Sequence, residues 1–143
     1  MVAVTGMGDP IPGSLFALPE VRLADADQFT GMIGVVESRM VFEVAPGKEA
    51  EGEMSMHSAE GAAQPGEYVS LIVYGVAEVK VDPNALIAPG DRLTASTLAG
   101  GVRALRTETL NGMVVTEGAQ VLGIALAAPV EGQDTIPVFI TLR

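Results

Sequence analysis

The sequence predicts an all-β fold, a small barrel or sandwich, and two observations carry the prediction. One is the run Tyr68-Val69-Ser70-Leu71-Ile72-Val73-Tyr74-Gly75-Val76-Ala77-Glu78-Val79-Lys80-Val81, rich in β-branched residues and without a competing helical face. The other is the punctuation that follows it, Pro89-Gly90, Gly100-Gly101 and Asn111-Gly112, dipeptides that turn a chain between short apolar segments. With 143 residues, 48% of them apolar, the chain is long enough to bury one core without crosslinks, so a single domain is expected.

In chain order, the first 25 residues read as an extended, proline- and glycine-bearing arm, and residues 26–143 as the β-domain. Strands are expected at Met32–Val36 and Met40–Val44. Residues from Ala45 to about Gly66 contain Glu49, Glu51, Glu53, Met54, Met56, His57 and Glu60 and show neither the helical nor the strand period, so a long loop is expected there. Loops of this length in small domains usually bind something.

The run from Tyr68 to Val81 is one long strand or two sharing a bend, with Gly75 a candidate bulge. Ile87-Ala88-Pro89-Gly90-Asp91 has the chemistry of a tight turn, with proline presetting φ and glycine supplying the positive φ that follows. Strands are expected at Arg92–Ser96, Val102–Leu105, Met113–Val115, Gln120–Leu126 and Ile136–Leu142. In the last, Ile136, Val138, Ile140 and Leu142 share a face, and Pro137 calls for an edge or a non-bonded register position. The segments Met32-Ile33-Gly34-Val35-Val36 and Val121-Leu122-Gly123-Ile124-Ala125 echo each other. Both fit buried strands with a glycine where another backbone comes close.

Composition excludes several functions. Eighteen acids against eight bases give a formal charge of -10, which repels a nucleic-acid backbone. Without cysteine there is no disulfide framework, thiolate zinc site or cysteine nucleophile. No apolar run reaches membrane-spanning length and no signal peptide is recognisable. Neither a phosphate-binding glycine loop nor a nucleophile elbow is present. His57, the single imidazole, reads as a solvated loop residue; Asp25 and Asp27 lack the rest of a calcium loop. Met54 and Met56 beside His57 suit a soft metal in principle, but read better as adaptable contact side chains. No catalytic residue, metal or cofactor is expected.

The order Gly75–Val81, Ile87-Ala88-Pro89-Gly90-Asp91-Arg92-Leu93-Thr94-Ala95-Ser96, Val121-Leu122-Gly123-Ile124-Ala125-Leu126, Gly132 and Ile136–Leu142 resembles the small all-β modules of phage head decoration, or cement, proteins. Similar modules end some fibre-like and bacterial surface proteins. The resemblance covers roughly residues 68–143. It implies a β-tulip-like scaffold, not an enzyme, located on the outer capsid surface of the virion. There it would bind the major capsid protein as a homotrimer and stabilise the shell by bridging neighbouring subunits. The alternative is a fibre-tip or bacterial surface module binding an envelope glycan. Independently of the resemblance, Ile11, Leu15, Phe16 and Leu18 of the arm, with Met54 and Met56, are the expected partner contacts, because prolines lower the entropy lost when an apolar segment docks. The alternative, compatible with it in a trimer, is an arm folded against its own barrel.

Overall fold

A computed structural model describes residues 1–10, 17–25, 31–44 and 54–143. Among them every regular element is a strand: β1 (Val2–Pro10), β2 (Ala17–Leu23), β3 (Met32–Val44), β4 (Met54–Ala59), β5 (Tyr68–Ile72), β6 (Gly75–Lys80), β7 (Arg92–Ala95), β8 (Val102–Ala104), β9 (Thr107–Leu110), β10 (Met113–Thr116), β11 (Gly123–Ala125) and β12 (Thr135–Ile140). The all-β expectation holds.

Apolar alternation places the core. In β12 Ile136, Val138 and Ile140 point inward, and in β6 Ala77 and Val79 do the same. These strands belong to a five-stranded antiparallel sheet in the order β6-β12-β11-β7-β8. The sheet curls until its edges touch at one bridge, Val81 to Val102, without closing into a barrel. Leu93, Leu122, Ile136, Ile140, Val79, Val81, Val102 and Val138 are fully buried inside it.

The turn chemistry does what its residues require. At Pro89-Gly90 the Asp91 amide donates to the Ala88 carbonyl at 3.1 Å, with Gly90 at φ 93°. Asn111 and Gly112, at φ 50° and 80°, form the two-residue link of the β9–β10 hairpin. Gly100-Gly101 joins β7 to β8.

Gly123 lies where the strands are closest: a Cβ there would fall on the Phe139 carbonyl. Gly34, its echo, would place a Cβ 2.8 Å from the Ile72 carbonyl oxygen. Both glycines therefore mark close backbone approach, as the sequence suggests.

Pro137 is not on an edge, since β12 runs between β6 and β11. Toward β6 its register is non-bonded: the Val81 amide donates to Asp134, so by alternation the Pro137–Glu78 pair is a non-hydrogen-bonded one. Its nitrogen therefore faces the β11 side just past that strand's end at Ala125, where the Pro137 carbonyl still accepts from the Leu126 amide at 2.9 Å and only the reciprocal bond is missing. Gly75 is likewise not a bulge, because its pairing with Ile140 continues the β6–β12 register unbroken. At φ 107° it follows the bend at Val73-Tyr74, where the chain leaves one sheet and enters the other.

The other five-stranded sheet corrects the front half of the reading. The expected arm is a hairpin: β1 pairs with β2 from Val2–Leu23 to Pro10–Ala17, and its start also pairs with β3. Pro19 is tolerated because β2 is an edge strand. Part of the expected loop, Met54–Ala59, is strand β4, paired with β3. Arg39 and Met40 pair with β4 and with β5, so those two strands flank β3. A register shift at Glu37 divides β3. Before it, Met32 and Val35 enter the common core with Met1, Ala3 and Ala24; beyond it, the strand leaves the core.

Backbone groups join the two sheets. The Met1 amino group donates to the Gly100 carbonyl at 3.4 Å, and the Gly100 amide donates to Ala24 at 2.7 Å. The Gln120 side chain mimics a strand: its Oε1 accepts from the Met32 amide at 2.8 Å and its Nε2 donates to the Met32 carbonyl at 3.0 Å. Burial, then the nearby Lys80 charge, pushes the Met1 amine below its ordinary pKa.

Candidate functional site

The residues expected to carry contacts are spread over the front sheet. Leu18 lies on β2 and is 39% exposed; Met56 lies on β4 and is 59% exposed. The strand order β2-β1-β3-β4 places them on opposite edge strands, so the fold does not bring them together. Met54 belongs to β4 two residues before Met56. Ile11, Leu15 and Phe16 lie outside the described residues, as do Asp27, Glu49, Glu51 and Glu53.

Register builds a mixed surface around Met56. Phe42 pairs with Met56, Met40 with both Ser58 and Tyr68, and Ser38 with Ser70, and paired residues share a face. The Phe42 and Tyr68 rings meet edge to face at 4.7 Å. Ser38 Oγ and Ser70 Oγ are 2.8 Å apart. Together with Glu37 and His57 at the rim, this surface holds a shallow, open depression of about 370 Å³.

His57 Nε2 lies 3.7 Å from Glu43, both side chains well exposed, while neighbouring Ser58 alternates to the opposite face of β4. No serine–histidine hydrogen bond and no cluster of three metal-ligating side chains occurs among the described residues. A second, partly enclosed depression of about 300 Å³ lies between Asp82, Ser96, Leu98 and Arg106.

Two apolar surfaces that sequence reasoning missed lie in the back half. One is the outer face of the curled sheet. Successive pairs carry a row from Val76 on β6 through Phe139 and Ile124 to Arg92 on β7. Tyr74 packs edge to face on Phe139 at 5.2 Å. Val76 is 59% and Tyr74 71% exposed, at positions where an antiparallel sheet normally presents polar side chains to water. The signal was present in the sequence, because Val76 and Phe139 break the polar side of their strands' alternation.

The second surface is the β9–β10 ribbon, a two-stranded sheet of its own. Leu110, Met113, Val114 and Val115 are all exposed along it. Its base is locked: Arg103 grips Glu117 through both guanidinium nitrogens, Nη1 to Oε1 and Nη2 to Oε2, while the Arg106 amide donates to Glu117 Oε1 at 2.8 Å. These hydrogen bonds, Arg103's first, hold the Glu117 carboxyl below the usual glutamate pKa, against the opposing effect of partial burial.

Charge separates the halves as well. Before Gly75 there are eleven acids and three bases; from Gly75 onward, seven and five. The acidity that dominates the net charge therefore belongs to the front half.

Fold and surfaces together define an all-β protein whose recognisable features are uncovered strand faces. Comparison with known protein families, with curated proteins and with solved structures finds no match for the chain.

Proposed function

We propose that this chain is a structural virion protein of a bacteriophage. It binds the outer capsid surface as a homotrimer and stabilises the shell by bridging neighbouring copies of the major capsid protein. One observation carries the reading: large apolar side chains stand uncovered on strand faces in both halves of the molecule. Strand faces of this kind supply binding energy by burial against a partner, without turnover. The acidic front half suits a basic or mixed docking surface and keeps a densely decorated exterior soluble.

The test is cosedimentation of the purified chain with shells assembled from the major capsid protein of the same phage. Retention with the shells, and a higher temperature of shell disruption, are the expected results. A chain that stays in the supernatant overturns the reading.

The depression lined by Ser38, Ser58, Ser70, Glu37 and His57, with Met40 and Met56 as its apolar wall, favours a second reading. Hydroxyls and a carboxylate around an apolar wall suit a sugar, as a fibre-tip or bacterial surface module binding an envelope glycan requires. Retention on immobilised cell-envelope glycan, lost on Ser70→Ala, would select it.

A further inference from the structure

We infer that the β9–β10 ribbon of one copy docks on the outer face of the curled sheet of the next copy, head to tail. This deepens the homo-oligomer of the proposed function by naming the surfaces that meet, and it does not depend on capsid binding. The ribbon needs cover. Two strands alone are marginal in water, and register puts Leu110, Met113 and Val115 on one face with Glu108, the only charge between Thr107 and Thr116. Its strands also lack the lysines, prolines and bulges that usually protect free edges.

The ribbon does not cover its own chain's exposed row. Arg92 Nη2 donates to Thr116 Oγ1 at 3.4 Å, tethering the ribbon's base at the β7 end, while Val76, Tyr74 and Ile124 remain exposed. The vacant row and the uncovered ribbon are thus both present once per chain.

Charge selects a second copy as the occupant. The receiving face offers Arg92 and Lys80 against Glu78, a net positive surface for Glu108. Both surfaces also belong to the half with the smaller charge excess, where acidic copies approach with the least repulsion. A fully exposed apolar side chain is worth on the order of 60–120 Å². The half-exposed ones on the two surfaces therefore bury several hundred Å², below the roughly 1,200 Å² at which stable specific interfaces begin. One such contact is weak. A head-to-tail contact, however, gives every copy in a closed ring two of them, and the last closes within an already tethered assembly.

Sedimentation velocity and light scattering of the purified chain, without capsids, test the contact. The wild type is expected to form a closed oligomer at micromolar concentrations. Met113→Asp and Val76→Asp, both at exposed positions, are each expected to reduce the mass to that of one chain, 14.7 kDa. Their equimolar mixture is expected to give a crosslinkable one-to-one heterodimer, because each variant retains the surface the other lacks. A monomeric wild type, either variant at wild-type mass, or a mixture that yields no heterodimer overturns the inference. If circular dichroism shows that an aspartate variant has lost its strands, Met113→Thr or Val76→Thr replaces it under the same criteria. A monomeric wild type that still binds capsids overturns this contact alone. An oligomer that ignores capsids overturns the capsid reading alone.

Discussion

The two five-stranded sheets are built from similar strands but hold themselves together differently. The back sheet curls around Leu93, Leu122, Ile136, Val138 and Ile140, all shielded from water. The front sheet contributes to that core at one end, where β1 and β3 begin and β2 and β5 finish, through Ala3, Met32, Val35, Ala24 and the partly buried Ile72. Its far end has β4 largely exposed and β5 half-buried, so the backbone ladder of β3 carries it. The contrast teaches that one half is stabilised by its own packing, while the other presents surface.

The largest expected effect lies at Gly123. Gly123→Val should abolish folding or cost more than about 4 kcal/mol, because its Cβ meets a backbone carbonyl that β12 cannot move. Gly34→Ala, the matching change in the front sheet, should cost less, about 1–3 kcal/mol, because its Cβ would stand 2.8 Å from the Ile72 carbonyl oxygen, where a shift of a few tenths of an ångström relieves the clash. Denaturant unfolding of both variants checks the ranking, and equal losses would break the comparison.

Leu122→Ala should cost about 2–5 kcal/mol through cavity formation, whereas Met56→Ala should change stability by less than about 0.5 kcal/mol. Thermal unfolding of the two variants measures the difference.

Gln120→Ala sharpens the comparison at the joint. It leaves the Met32 amide and carbonyl without their side-chain partner and should cost about 1–3 kcal/mol. Hydrogen exchange should then rise in β1 and β3 before it rises in β12. Uniform acceleration would show that the sheets open together.

The smallest effect is electrostatic. Glu117 is more acidic folded than unfolded, so the unfolded chain binds more protons at low pH. Its contribution, about 1 kcal/mol after solvent screening, is full above the ordinary glutamate pKa. It is lost as pH falls through the lower folded value, and Glu117→Gln should flatten that acid limb of the stability curve. The Met1 amine, lowered by burial, acts at the other end of the pH range. Its destabilisation is full below its folded pKa and is relieved as pH rises toward the ordinary amine value. Stability should therefore increase across that interval, as urea midpoints against pH would show.

The strand character of the described residues, the Pro89-Gly90 turn and the inward face of β12 were determined by sequence alone, because each depends on local torsion preference or on a two-residue period. The alternation Met54-Ser55-Met56-His57-Ser58 was a legible sign of β4, overshadowed by the acidic residues before it. The β1–β2 hairpin was obscured by prolines, which an edge strand accepts and an isolated sequence does not explain. Only the tertiary structure decided that Tyr68–Val81 divides between two sheets, that β12 is central, and that Gln120 stands in for a strand. Pairing partners are chosen by contacts between residues far apart in the chain, and no local pattern of side chains encodes those. Val76 and Phe139 each stand out in the sequence as apolar residues on a polar side, but their joining into one row with Ile124 follows only from the strand pairing.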